Sequence, residues 1–401
     1  MRRVVITGAG CVTAIGKSVP EFRDALFAPR SGIGPVKLLP GQALGFANVA
    51  QARGFCAEGL LEPSLLLLTE RSAQFALAAA KQAVEESQFL KAYAPESITV
   101  SMGCSVGGQE AEEEQLVKLY TGAGRVHPFT VPRVMASSGA SHISILFGIT
   151  GPVLNFSTAC ASSAHAIGEA FHMIRSGSAD AALAGGHEAP LTYGFLKSWE
   201  AMRVVSPTTC KPFSSLRDGI TLGEGAAVFV LEEREQALAR GAPVYAEICG
   251  FGMSSDAFHI TQPCASGPAM AMRAALRDAA CEPAEIGYIN AHGTGTVAND
   301  CAEAQAIHEL FGELAFAIPV SSTKALHGHT IGAAGAIEAL ATLLALRERQ
   351  LPVSFGAEPV DSKLKLNVVR SPSSFTARAA LSNSFAFGGL NASLVFRAEA
   401  L

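Results

Sequence analysis

Short runs of aliphatic and β-branched residues alternate along this chain with longer, alanine-rich stretches of helical period. That alternation is the mark of an α/β architecture. Residues 3–7 (RVVIT) predict a buried strand, and Ile98–Gly103 and residues 153–157 predict further strands. Residues 69–86 have the spacing of an amphipathic helix. Residues 161–176 predict another, stopping before Gly177, where a left-handed cap is easiest without a Cβ. No low-complexity or proline-rich linker divides the chain.

The pattern repeats. Residues 244–252 (VYAEICGFG) stand for residues 3–10, residues 286–296 for 98–108, and residues 318–323 (IPVSST) for 153–158. A helix over residues 330–349 matches the one that follows Cys160. Each copy closes on a strand, residues 226–231 (AAVFVL) and 392–397 (ASLVFR). The expected organisation is two related halves, residues 1–243 with cap insertions and residues 244–401, with the functional loops meeting between them.

Composition narrows the class. Of 401 residues, 49% are hydrophobic and 16% charged, against roughly 25% charged in an average domain, so the chain buries a large core. A net charge of −5 lacks the basic surplus of a nucleic-acid binder. The nine cysteines form no CxxC pair, which excludes a zinc ribbon or a disulfide framework. The N-terminal apolar run is too short for a signal-peptide core. Residues 331–346 are interrupted by Glu338 and fall short of the ~20 apolar residues of a membrane span. These readings predict a cytoplasmic protein. Residues 8–13 (GAGCVT) put Thr13 where a dinucleotide fingerprint needs its third glycine, so no such cofactor is expected.

Four segments carry chemistry. In residues 157–163 (STACASS), Cys160 sits where a strand gives way to a helix of small residues. The positive end of the helix dipole there should favour a thiolate. His292 follows the strand IGYIN, ahead of Thr294 and Thr296. Lys324, His327 and His329 share residues 321–335, with His329 opening a helix as Cys160 does, so that the dipole should keep it neutral. His327 and His329 lack the further ligands at recognisable spacing that zinc requires, so no metal is expected. Residues 383–389 (NSFAFGG) form an aromatic loop with paired glycines. Taken singly, each has a structural reading as good as its functional one; their common placement at strand ends of a duplicated fold favours chemistry.

With these motifs (STACASS, AHGTGT, STKALHGHTIGAAGAIEA and NSFAFGG) the chain closely resembles the β-ketoacyl-acyl-carrier-protein synthases of the KAS II branch, over essentially its whole length. The resemblance implies the thiolase fold, five αβαβα layers in two pseudo-symmetric halves, in a homodimer. It implies Cys160 as the acylated nucleophile, His292 and His329 as the decarboxylating pair, and Lys324 as the support of His329. The N–H groups of Cys160 and Phe387 would form the oxyanion hole, with Phe385, Phe387 and Thr261 beside the substrate and Thr294 and Thr296 on the pantetheine arm. Glu303, Glu338, Asn383 and Ser384 match a polar cluster that holds a monovalent cation in some relatives. The implied partner is an acyl carrier protein bearing phosphopantetheine, with no other cofactor, no nucleic acid and no membrane.

Several positions depart from the family pattern. Residue 386 is Ala in a loop that usually reads GFGG, and a Cβ at positive φ would stiffen it. Thr130 and Val106 replace bulkier residues near the expected acyl pocket. Residues 65–68 (LLLL) lack the basic residues that grip a carrier protein, leaving Lys211, Arg217 and Arg71 for that contact. These departures keep open a ketosynthase of a specialised polyketide or aryl-polyene pathway. A chain-length-factor-type subunit, which loses its nucleophile, and a degradative thiolase, which needs a second catalytic cysteine, fit less well.

Overall fold

The computed structural model describes residues 1–399. Its central feature is one eleven-stranded sheet. In chain order the strands are β1 (Val4–Thr13), β2 (Ile98–Gly103), β3 (Val153–Phe156), β4 (Ala181–Glu188), β5 (Gly225–Glu233), β6 (Ala246–Ser255), β7 (Ile286–Asn290), β8 (Pro319–Ser321), β9 (Asn367–Val368), β10 (Ala379–Ala386) and β11 (Leu390–Arg397). Across the sheet they run β9-β8-β7-β10-β11-β6-β1-β5-β4-β2-β3. Apart from β9 the order is a palindrome. β3-β2-β4-β5-β1 in the first half answers β8-β7-β10-β11-β6 in the second, and the halves meet where β1 pairs antiparallel with β6.

Five helices complete the layers: α1 (Arg71–Ser87), α2 (Ser162–Ser176), α3 (Ser266–Asp278), α4 (Val297–Phe311) and α5 (Ala334–Glu348). Helix α1 covers the outside of the first half on β1, β4 and β5, and α3 covers β6 and β11, with α4 beside it. Helices α2 and α5 touch strands of both halves and each other, and so form the shared middle layer. This is the five-layered thiolase arrangement that the family resemblance implies, built from the two related halves that the repeat predicts. Burial explains the composition of α5: every residue from Ala334 to Leu346 is buried, so the helix is apolar all round. Small residues set the spacing in this layer, since a Cβ on Gly335 would meet Ala164 N at 3.0 Å.

The repeat fixes an equivalence that the motifs hide. Helices α2 and α5 both span 15 residues, and each follows a 3₁₀ turn, Ala159–Ala161 and Ile331–Ala333. Both turns open on a non-glycine residue at positive φ, Ala159 at 48° and Ile331 at 49°. Cys160 is therefore matched by Gly332. His329 occupies the place of Ser157, three residues before the nucleophile position rather than on it.

Candidate active site

Cys160, His292 and His329 come from three separate strand-to-helix connections and meet in one buried place. Nε2 of His329 lies 3.1 Å from Cys160 Sγ, and the two imidazole rings stand edge to face with centroids 5.4 Å apart. One ligating atom from each of the three falls within 4.8 Å of the others. Lys324, fully buried, pairs with Glu338 and donates to the carbonyl of His292. Its Nζ is also 3.3 Å from His292 Nδ1. An ammonium has only protons to offer, so Nδ1 is the acceptor and the ring hydrogen of His292 sits on Nε2.

The sequence expectation linked Lys324 to His329. The structure instead sets it against His292, because the turn 324–327 carries the amine back towards β7. Burial, with the positive charge of Lys324, holds both imidazoles well below the usual histidine range, so both are neutral. The sulfur departs from expectation as well. Burial pushes the Cys160 thiol up to about 11, although Lys324 and the N–H groups of Phe387 and Cys160 pull in the opposite direction. Desolvation outweighs the helix terminus, and the resting group is a thiol next to His329 Nε2. A soft metal would find three donors here, but the buried ammonium of Lys324 repels a cation and makes the pocket one for developing negative charge.

Buried carboxylates support these groups. Glu303 accepts N–H bonds from His292 (2.8 Å) and Gly293 (2.7 Å) and is within 3.4 Å of Asn383 Nδ2. Glu303 and Glu338 are each pushed up to about 7 by burial. Ser384 Oγ faces Gly335 across the α5 packing. Glu338 Oε2 and Asn290 Oδ1 have no hydrogen-bond partner among the described residues.

A cavity of about 230 Å³ leads to the sulfur. Thr261, Thr294, Thr296, Phe385 and Phe387 all line it, as does Ala386. The hydroxyls of Thr294 and Thr296 are 3.0 Å apart. Phe387 stacks on Trp199, with centroids 5.7 Å apart and planes at 19°. Trp199 and Asp256 are wall residues that the motifs did not reveal.

Ala386, Arg217 and Arg71 depart from expectation. Ala386 has φ −114°, the extended end of β10, so its Cβ carries no penalty; the positive angles fall on Gly388 and Gly389. Val106 and Thr130 are not in this cavity. Val106 belongs to a loop held by Glu188, and Thr130 opens a short helix, Thr130–Val134, flanked by exposed Phe129 and Val131. Arg217 is committed inside the protein to Asp361 at 2.8 Å, and Arg71 pairs with Glu224 at 2.6 Å, so neither guanidinium is free for a docking partner. Lys211, half-buried beside Gly295 at the threonine wall, has no ion-pair partner among the described residues.

The known proteins it matches agree with this geometry. Residues 1–237 match the model for the N-terminal domain of β-ketoacyl synthases, and residues 245–358 match the C-terminal domain. The chain belongs to the β-ketoacyl synthase family. It is 40% identical over 398 residues to nodulation protein E of Rhizobium leguminosarum bv. trifolii, covering 99% of both chains. Identity to 3-oxoacyl-[acyl-carrier-protein] synthase 2 of a Synechocystis strain is 37% over 407 residues, covering 99% of this chain and 98% of the relative. Among solved structures, the ishigamide ketosynthase/chain length factor superposes with a TM-score of 0.95 at 32% identity over the whole of both chains. As a member of this family the chain is a condensing acyltransferase. Among the described residues no helix is long and apolar enough to cross a membrane.

Proposed function

We propose that this synthase joins an acyl group held on Cys160 to a malonyl unit on an acyl carrier protein, lengthening the acyl chain by two carbons. The observation that carries the reading is the thiol within 3.1 Å of one neutral imidazole, with a second imidazole edge-on beside it. In the first half-reaction Cys160 attacks the acyl thioester. Its proton passes through His329 to the departing pantetheine sulfur, and the N–H groups of Cys160 and Phe387 receive the oxyanion. In the second, malonyl thioester loses CO2, and the enolate oxygen accepts from the Nε2–H of His292 and from His329, whose Nε2 is free to carry the ring hydrogen once the sulfur is acylated. Each such donor is worth about 3–4 kcal/mol in the transition state. The enolate carbon then attacks the acyl carbonyl and expels Cys160 as a thiolate, which takes a proton from solvent. The threonine wall suits a pantetheine arm, and the carrier protein supplies that group, so the chemistry asks for no cofactor of the enzyme's own.

Nine free cysteines suit a reducing cytoplasm. A second copy of the chain suits the outer edge of β3, where Val153 and Leu154 are exposed close in sequence to exposed Ile145 and Leu146. A second reading, a ketosynthase of a specialised pathway working with a chain length factor, draws support from the likeness to the ishigamide ketosynthase/chain length factor. One experiment tests the reaction and separates the pathways. Intact-mass analysis after exposure to a panel of acyl carrier proteins should show an adduct on Cys160, absent in Cys160→Ala, and a product two carbons longer once malonyl-carrier protein is added. No adduct from any acyl length would overturn the reading.

A further inference from the structure

Glu188 ends β4 with no solvent exposure and takes no part in the reaction as described above. Its Oε2 accepts N–H bonds from Ser105 (2.8 Å) and Gly332 (3.1 Å). Its Oε1 accepts from Val106 N–H (3.2 Å) and from the Cys104 thiol (3.2 Å). A carboxylate is the one side chain of this size that accepts on every side, so these four donors specify it.

One donor belongs to the turn that follows His329, and the other three to the loop after β2, which touches the chain just ahead of Cys160. Gly332 lies three residues beyond His329, in the 3₁₀ turn that opens α5. A Cβ on it would stand 2.5 Å from Glu188 Oε2 and 2.6 Å from Ser105 N, so only glycine lets the backbone reach the carboxylate. On the other side, Ser105 accepts at its carbonyl from the Ser157 hydroxyl (3.0 Å), three residues before Cys160, and Cys104 N–H binds the Phe156 carbonyl (3.0 Å).

Pseudo-symmetry gives the arrangement its meaning. Gly332 is the counterpart of Cys160, and β4 is the counterpart of β10, whose end leads into Phe387. In one half the strand end and the turn both present N–H groups to the sulfur. In the other, the strand end presents a carboxylate and fills the turn's N–H from within.

We propose that Glu188 is a positioning residue for the condensation: it locks the turn that carries His329 to the loop that braces the Cys160 turn. The inference rests on the assignment of Cys160 and His329 above. Glu188→Gln keeps the volume but turns an NH2 group towards backbone donors, so the two turns lose their register. With the purified full-length enzyme, the KM for malonyl-carrier protein should stay within about twofold, because the threonine wall is untouched. The kcat of condensation and the rate of Cys160 acylation should each fall tenfold or more, per site titrated by intact mass. A purely structural role would lower the melting temperature yet leave the turnover of the folded fraction at the wild-type value, and that result overturns the proposal. Should Glu188→Gln not fold, Ser157→Ala decides, because it cuts one link at an exposed residue. Several-fold slower acylation with unchanged malonyl decarboxylation supports the proposal, and unchanged acylation overturns it. A wild-type enzyme that neither acylates nor condenses would instead sink the functional reading, so the two failures are distinct.

Discussion

Lys324 is held between His292 and Glu338, its ammonium meeting one ring nitrogen at 3.3 Å and a buried carboxylate on another side. It therefore sets the tautomer of one histidine while being neutralised itself. The arrangement depends on every member being present, since a buried charge without its partner is far more costly than the pair.

Lys324→Met should accordingly lose stability and activity together. Removing one partner of a buried pair costs about 3–5 kcal/mol, and Glu338 would then be driven further towards its protonated form. Chemical denaturation should show the lost stability, and malonyl decarboxylation should fall because Nδ1 of His292 has lost its donor. A variant of wild-type stability would show that the pair contributes nothing.

The two histidines should separate by half-reaction. His329 touches the sulfur and His292 does not, so His329→Ala should slow acylation of Cys160 by about 10²-fold or more, the usual scale of a lost general base. His292→Ala should acylate at close to the wild-type rate and fail in decarboxylation. Rates from labelled acyl-carrier protein and from CO2 release check both, and equal acylation in the two variants would refute the division.

The raised thiol makes a prediction about pH. With Cys160 pushed up to about 11, the thiolate fraction in the free enzyme climbs about tenfold per pH unit between pH 7 and pH 10. Iodoacetamide alkylation of Cys160 should climb with it and show no plateau near neutrality. A plateau below pH 8 would show that the helix terminus, and not burial, governs the sulfur.

Ala386→Gly tests the gate. Because residue 386 is extended, adding glycine there relieves nothing and costs about 0.5–1 kcal/mol of strand stability. Acylation rates should change less than twofold. A several-fold acceleration would show that the Cβ restrains the loop after all.

The sequence made Cys160, His292 and His329 legible because each lies in a dense local motif beside a strand. The central strands β4 and β10 were not legible. β4 (AALAGGHE) is alanine- and glycine-rich and has neither β-branched enrichment nor alternation. Its composition answers crowding: a Cβ on Gly185 would meet the Ala227 carbonyl at 2.1 Å, and one on Gly186 would meet Ser163 Cβ at 2.4 Å. That same strand end carries Glu188, whose partners lie 82 to 144 residues away along the chain, a separation no local motif records. Arg71 and Arg217 looked available for the same reason, because their acids, Glu224 and Asp361, are 153 and 144 residues away. Motif spacing sets His329 against Cys160, but the two 15-residue helices put Gly332 in that place.

The shared middle layer bears on how this molecule is made. Because α2 and α5 are each sandwiched by strands from both ends of the chain, neither repeat owns a complete interior. A ribosome that has released only the first repeat leaves bare the face of α2 that α5 and the second-half strands cover in the finished molecule. Expressed as two separate pieces, the repeats should be insoluble alone and recover only when co-synthesised.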